Sequence, residues 1–303
     1  MIQMIKKEIK KVIVGQEELI DSLIIALLSE GNILLEGMPG LAKTTAVKVF
    51  AQSLGVESKR VQFTPDLLPS DIIGAEVYSP KEGEFKIKKG PVFTNILLAD
   101  EINRASPKVQ SALLEAMQER QVTIADKSMA LKEPFLVLAT QNPIEQEGTY
   151  PLPEAQLDRF MFKVKLSYNS PEEEMEILTR AESGFAANIE KVAAKEEIVR
   201  AKESVKEIFI DEPLKRYIID IVTATRKHPK TLFGSSVRGA IDLMRASKAL
   251  AYIDGRDFVT PADIMENAKR TLGHRVVLDY ASKAEGLESE AIIEEIVQKI
   301  PIP

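Results

Sequence analysis

Between the apolar run Ile33-Leu34-Leu35 and the helically spaced set Ala46, Val47, Phe50, Ala51 and Leu54 lies the octet Gly37-Met38-Pro39-Gly40-Leu41-Ala42-Lys43-Thr44. A strand that turns at a glycine and enters a helix is the opening of a crossover unit, and crossovers build parallel sheets covered by helices. The chain repeats that alternation up to about residue 166, with short apolar runs at 32–36, 58–63, 95–100, 135–140 and 160–164. Runs this short can also be buried helix turns, but Gly, Pro, Asn or charged residues bound each of them, which favours strands. Val109, Ala112, Leu113, Ala116 and Met117 fall on one helical face, with Ser106 and Pro107 in the N-cap and first helical positions.

Residues 77–90 and 122–135 alternate apolar and charged residues around a polar middle, so each is predicted to be a hairpin insert. After Ser170 the pattern changes. Ser170, Pro171 and Glu173 form a capping box with proline at the first helical position. Leu214, Tyr217, Ile218, Ile221 and Val222 then share one face of a helix that stops before Pro229, and Thr260-Pro261 starts another that Gly273 can end. A length of 303 residues suits two domains. The expected architecture is α/β: a parallel sheet flanked by helices with hairpin inserts over residues 1–168, followed by an all-α domain over 169–303.

The octet has the spacing of a phosphate loop. Backbone N–H groups at a helix N-terminus meet phosphate oxygens, Lys43 supplies a mobile positive charge, and Thr44 offers its hydroxyl to magnesium. Ala42 stands where a second glycine is usual, and its methyl group is tolerable there if the residue has right-handed helical dihedrals. A lysine-capped turn that binds nothing is the plain alternative. Phosphoryl transfer further needs a metal ligand and a group to orient water, and the run Ile96 to Ala99 ends in Asp100 and Glu101. Asp100 is predicted to face magnesium, with Thr44, and Glu101 to act as the base. Asn142 follows the run Val137-Leu138-Ala139-Thr140, at the sheet edge where ligands collect, although taken by itself an Asn142-Pro143 turn after a strand is the more usual reading.

These residues together resemble the MoxR family of AAA+ ATPases. The likeness rests on the octet with its alanine, on Ala99-Asp100-Glu101-Ile102-Asn103-Arg104, on Leu113-Leu114-Glu115-Ala116-Met117, on Ala139-Thr140-Gln141-Asn142-Pro143, and on Tyr150 to Phe160. It covers nearly all of residues 12–166 and the last third more loosely. The resemblance implies a ring, usually hexameric, that binds ATP or ADP with magnesium between the α/β domain and a helical lid, each site being completed by the next subunit. It implies a phosphate loop of Gly37, Pro39, Gly40, Leu41, Ala42, Lys43, Thr44 and Thr45. Asn142 would be the first sensor and Arg159 the finger entering a neighbour's site, for which Arg104 competes. Arg238, at a predicted helix start, would be the second sensor, although Val237 replaces the usual proline. Val14, Gly15 and Gln16 resemble the segment near adenine. The plain alternatives are an ion pair of Arg159 with Asp158, and an ordinary glycine turn at Gly15.

The family suggests chaperone-like remodelling or maturation of client proteins, often ones containing von Willebrand A domains. A ring acting on DNA or RNA is the alternative. Lys81, Lys86, Lys88 and Lys89 lie in one insert and Lys127 and Lys132 in the other, without aromatic residues interleaved for base stacking. A net charge of −6 gives generic nucleic-acid binding no compositional support. A phosphate-loop kinase or a scaffold with little turnover is a third reading; Glu101 and Arg159 argue against a pure scaffold, and the size of the helical domain after the core argues against a small-molecule kinase. The absence of cysteine excludes disulfides and thiolate zinc, and is compatible with a cytoplasmic protein. His228 and His274, the only histidines, receive no role. No apolar run approaches membrane-spanning length.

Overall fold

The computed structural model describes residues 1–38, 40–81, 83–143, 148–184 and 187–303. Pro39, one of the predicted phosphate-loop residues, lies outside them.

The five predicted strands form within one or two residues of their expected limits: β1 (Ile33–Glu36), β2 (Ser58–Gln62), β5 (Ile96–Asp100), β8 (Leu136–Gln141) and β9 (Phe162–Lys165). They join one sheet in the order β2-β5-β8-β1-β9. β5 pairs in parallel with β2 on one side and with β8 on the other. Ile96, Leu97, Leu98 and Ala99 are at most 1% exposed, which is why this strand reads as an unbroken apolar run. At the edge, β2 mixes polar and apolar residues and sets Gln62 opposite Asp100.

Both inserts are hairpins: β3 (Gly74–Ser79) with β4 (Glu84–Lys89), and β6 (Gln121–Ile124) with β7 (Lys127–Ala130). The first corrects an expectation, because it does carry aromatic residues. Tyr78 and Phe85 face each other across the strands with ring centroids 5.3 Å apart, and both are exposed. Two of the insert lysines have local partners. Lys89 sits 4.9 Å above the Phe93 ring, and Lys132 pairs with Glu57 at 2.5 Å.

By internal contacts the chain forms two compact units. The first contains residues 1–21, 34–152 and 165–199. In it the helix Pro107–Glu119 begins after Ser106, as expected, although the Ser106 side chain makes no capping bond. The helix Pro171–Glu182 has its full capping box: the Glu173 amide donates to Ser170 Oγ, and the Ser170 amide to the Glu173 carboxylate.

The second unit contains residues 22–33, 153–164 and 200–303. The helices Glu212–Lys227, Val237–Ile253, Pro261–Leu272 and Ser289–Lys299 enclose a core that includes Tyr217, Ile221, Leu243, Ile264, Leu272 and Ile293. One local feature departs from expectation. A short antiparallel ribbon of β10 (Thr231–Phe233) and β11 (Val277–Leu278) sits among the helices. Gly273 ends the helix Pro261–Leu272 as expected, capping it in a right-handed conformation that leads into a 3-10 turn, Gly273–Arg275. Among the described residues no helix is long and apolar enough to cross a membrane.

Candidate active site

The predicted loop residues sit between β1 and the helix Lys43–Leu54, whose N-terminal N–H groups point into the turn. Gly40 has φ +89°, and nothing lies within 4 Å of where a Cβ would stand, so the loop backbone is open to a ligand. Ala42 corrects the sequence reading. Its φ of 54° and ψ of 18° are left-handed rather than helical, a conformation costing about 1 kcal/mol without glycine. Left-handed residues in a turn bend successive N–H groups toward one point, which is the geometry of an anion nest. Lys43 donates to the Gly37 carbonyl at 2.8 Å. Burial pushes its ammonium below the usual lysine range, while the charges of Asp100 and Glu101 pull it back up.

At the end of β5, Thr140 of the adjacent β8 ties the two carboxylate residues together. Its hydroxyl donates to Asp100 Oδ1 at 2.5 Å and accepts the Glu101 amide at 2.9 Å. Glu101 is left-handed, with φ 56° and ψ 51°, one of the sparsely populated conformations that cluster at functional sites. Its Oε2 accepts from Gln62 at 2.7 Å and from Arg104 at 3.0 Å. Asp100 Oδ2 accepts from both Nε and Nη2 of Arg60, at 3.1 and 2.6 Å. Asn142 is buried directly after β8.

Sequence reading missed Arg60, Gln62 and the part played by Thr140. The available signal was the polar pattern of β2, since Arg60 and Gln62 are out of place in a strand beside the buried β5 unless the neighbouring strand end is charged.

A cavity of about 440 Å³ adjoins the loop, within the range of about 300–1,000 Å³ usual for small-molecule sites. Val14, Gln16, Gly40, Leu41, Ala42 and Thr45 line it, so the two predicted binding segments meet in one place. Tyr168, Ile177 and Leu178 add apolar wall, which sequence reading had not assigned. The Gln16 amide donates to the Ser167 carbonyl at 3.0 Å and to Asn169 Oδ1 at 2.8 Å, tying residues 14–16 to the start of the helix Pro171–Glu182. Gly15 is required there: φ is +66°, and a Cβ would stand 2.6 Å from the Glu173 carboxylate.

In the second unit, Asp158 does not select Arg159. Its Oδ1 accepts from Ser236 at 2.8 Å and from Arg275 at 2.9 Å, and its Oδ2 from Arg238 at 2.9 Å. Arg238 stands at the predicted helix start, after the N-cap Ser236. Arg275, with a side chain only 1% exposed, also bonds Asp242 at 2.5 Å and the Asp158 and Phe160 carbonyls. His274 Nε2 lies 3.0 Å from the Phe160 carbonyl, and burial, then the charge of Arg275, holds its ring well below the ordinary histidine range.

Truncating Asp158 to alanine removes one of two carboxylates from a buried guanidinium, so stability should fall by about 3 kcal/mol. Thermal melting followed by circular dichroism checks this, and an unchanged melting temperature would make the pairing energetically idle.

Comparison with known proteins gives consistent relatives. The model of the ATPase family associated with various cellular activities matches residues 32–162, and that of the AAA lid domain matches residues 223–296. The Bacillus subtilis protein YeaC is 47% identical over 98% of this chain and 93% of its own length. The chaperone MoxR1 of Mycobacterium tuberculosis is 45% identical over 98% of this chain and 81% of its own. A crystal structure from Cytophaga hutchinsonii, named for an ATPase, superposes with a TM-score of 0.94 at 48% identity, covering 100% of this chain and 94% of that one.

Proposed function

The chain belongs to the MoxR family of AAA+ ATPases, and on that premise we propose that it hydrolyses ATP with magnesium, in a ring of its own copies, to remodel or mature client proteins. The observation that carries the nucleotide reading is the meeting of three distant segments, around Val14, Gly40–Thr45 and Tyr168–Leu178, about one cavity beside Lys43. In this reading the apolar wall takes the adenine, Gly37 to Thr45 hold the phosphates of ATP or ADP, and Lys43 leaves the Gly37 carbonyl for the terminal phosphates. In place of the expected division at residue 168, the proposed nucleotide pocket lies within the first compact unit, which extends to residue 199, and residues 200–303 of the second serve as the lid.

The donors fit magnesium. Thr44 and Asp100 offer one hydroxyl and one carboxylate, and among the described residues no cluster of three or more His, Cys, Asp or Glu could hold a metal alone. That is the set for an ion that keeps waters and phosphate oxygens as its other ligands. Thr44 and Asp100 would hold magnesium, which would supply charge neutralisation at the terminal phosphates. Glu101 orients and deprotonates the attacking water, Asn142 contacts the terminal phosphate, Arg238 reports on it from the lid, and Arg159 supplies positive charge to a neighbour's site.

The chaperone name of a relative supports protein clients, and von Willebrand A domain proteins are the class we favour. A cytoplasmic setting fits a chain without cysteine. A DNA or RNA substrate is the weaker reading, because Lys89 and Lys132 have partners within the chain.

Lys43→Ala tests the site. A charge-assisted contact worth about 2.7 kcal/mol corresponds to about 100-fold in affinity, so ADP binding measured by calorimetry should fall by at least that much. Unchanged affinity would remove the phosphate loop from the argument.

A further inference from the structure

Arg60 is not needed to hold a phosphate loop or to activate water, yet it makes the densest contact with Asp100. Two of its N–H groups, Nε at 3.1 Å and Nη2 at 2.6 Å, converge on the single oxygen Oδ2. The other oxygen, Oδ1, accepts from Thr140, which is 1% exposed and fixed by the Glu101 amide. Oδ2, with both of its lone-pair directions taken, can accept a cation only if Arg60 gives way, whereas Oδ1 keeps one direction open beside the Thr140 hydroxyl. Thr140 is buried and cannot swing out, whereas the Arg60 side chain is 53% exposed, against 14% for Asp100. A guanidinium keeps its charge at any accessible pH, so Arg60 leaves by rotation and not by losing a proton.

We propose that Arg60 is a positioning residue that occupies Asp100 Oδ2 as a stand-in cation and must rotate away before that oxygen can serve magnesium. The inference rests on the reading of Asp100 as that ligand. Two consequences follow from the charges. Arg60 offsets Asp100 when nucleotide arrives without a divalent ion, reducing its repulsion of the phosphates. The same contact competes with the ion and raises the magnesium concentration at which Asp100 is taken. Nη2 also donates to Gln62 Oε1 at 3.0 Å, and Gln62 in turn donates to Glu101. Withdrawal of Arg60 therefore leaves Gln62 free to turn its amide, so the two carboxylates respond in sequence: first Asp100, then Glu101.

The test uses the full chain, a fluorescent ADP as probe and magnesium chloride as titrant, so no turnover is needed. In Arg60→Ala the half-saturating magnesium concentration for probe binding should fall about two- to fivefold, the range for a partly exposed ion pair. Probe affinity in excess EDTA should fall as well. Arg60→Lys keeps the charge without the paired N–H groups and should lie between the wild type and Arg60→Ala; it carries the test if the alanine variant shows no cooperative melt. A half-saturating concentration that stays the same or rises in a folded variant would overturn the stand-in role. Asp100→Asn in both backgrounds separates the two levels of the argument. If wild-type binding is already indifferent to magnesium, the ligand assignment fails and the inference with it. If the wild type depends on magnesium through Asp100 and Arg60→Ala changes nothing, only the inference fails.

Discussion

Replacing Arg159 with alanine should lower ATP turnover by about 10³- to 10⁵-fold, the range for removal of an arginine that neutralises a transferring phosphoryl group. ADP affinity should stay close to that of the wild type, because a finger acts on charge that develops only in the transition state. Local structure supports the choice of this residue over Arg104. On either side of Arg159 the backbone is held: Arg275 binds the carbonyls of Asp158 and Phe160, and the Asp158 carboxylate is committed to Ser236, Arg238 and Arg275. Arg104 instead donates to Glu101 of its own chain at 3.0 Å. Turnover per chain measured against chain concentration is the first readout. Mixing Arg159→Ala with Lys43→Ala is the second, since each variant keeps what the other lacks and a site shared between copies should regain activity in the mixture. If Arg159→Ala alone keeps its rate, the finger assignment fails; if the single variants lose their rates and the mixture recovers nothing, sharing between copies is excluded.

Glu101→Gln should reduce hydrolysis by about 10²- to 10⁴-fold, as loss of a general base does, while ATP remains bound. Glutamine keeps the shape of the side chain and one acceptor oxygen for Gln62 and Arg104, so the change falls mainly on charge and proton transfer. The useful comparison is with Lys43→Ala, which should lose binding and turnover together. A variant that retains ATP but does not consume it, followed by filter retention and phosphate release, supports the base. Near-normal phosphate release would transfer that role to another residue.

Much of the architecture was legible because it depends on local pattern. β5 reads as a strand since its side chains are buried on both faces, and Ser170 with Glu173 marks a helix start that forms both capping bonds. The loop octet and the Asp100-Glu101 pair were legible for the same reason, each being contiguous. What escaped reading depends on partners far apart in the chain. Arg60 finds Asp100 across 40 positions, and Arg275 finds Asp158 across 117. Tyr168, Ile177 and Leu178 look like ordinary apolar residues until Val14 and Leu41 stand opposite them. Ala42 failed for another reason: residue type argues for right-handed backbone, and the surrounding turn outweighs a preference of about 1 kcal/mol.

The Thr140 hydroxyl sets a limit on how this chain can drift. It has one proton, which goes to Asp100, and it receives the Glu101 amide in return. Valine would match its shape but strand both partners, leaving an amide of a left-handed residue with no acceptor. Only a hydroxyl-bearing residue serves at that position, so across descendants of this gene positions 100, 101 and 140 should be inherited as one heritable unit, with serine as the tolerated neighbour of threonine.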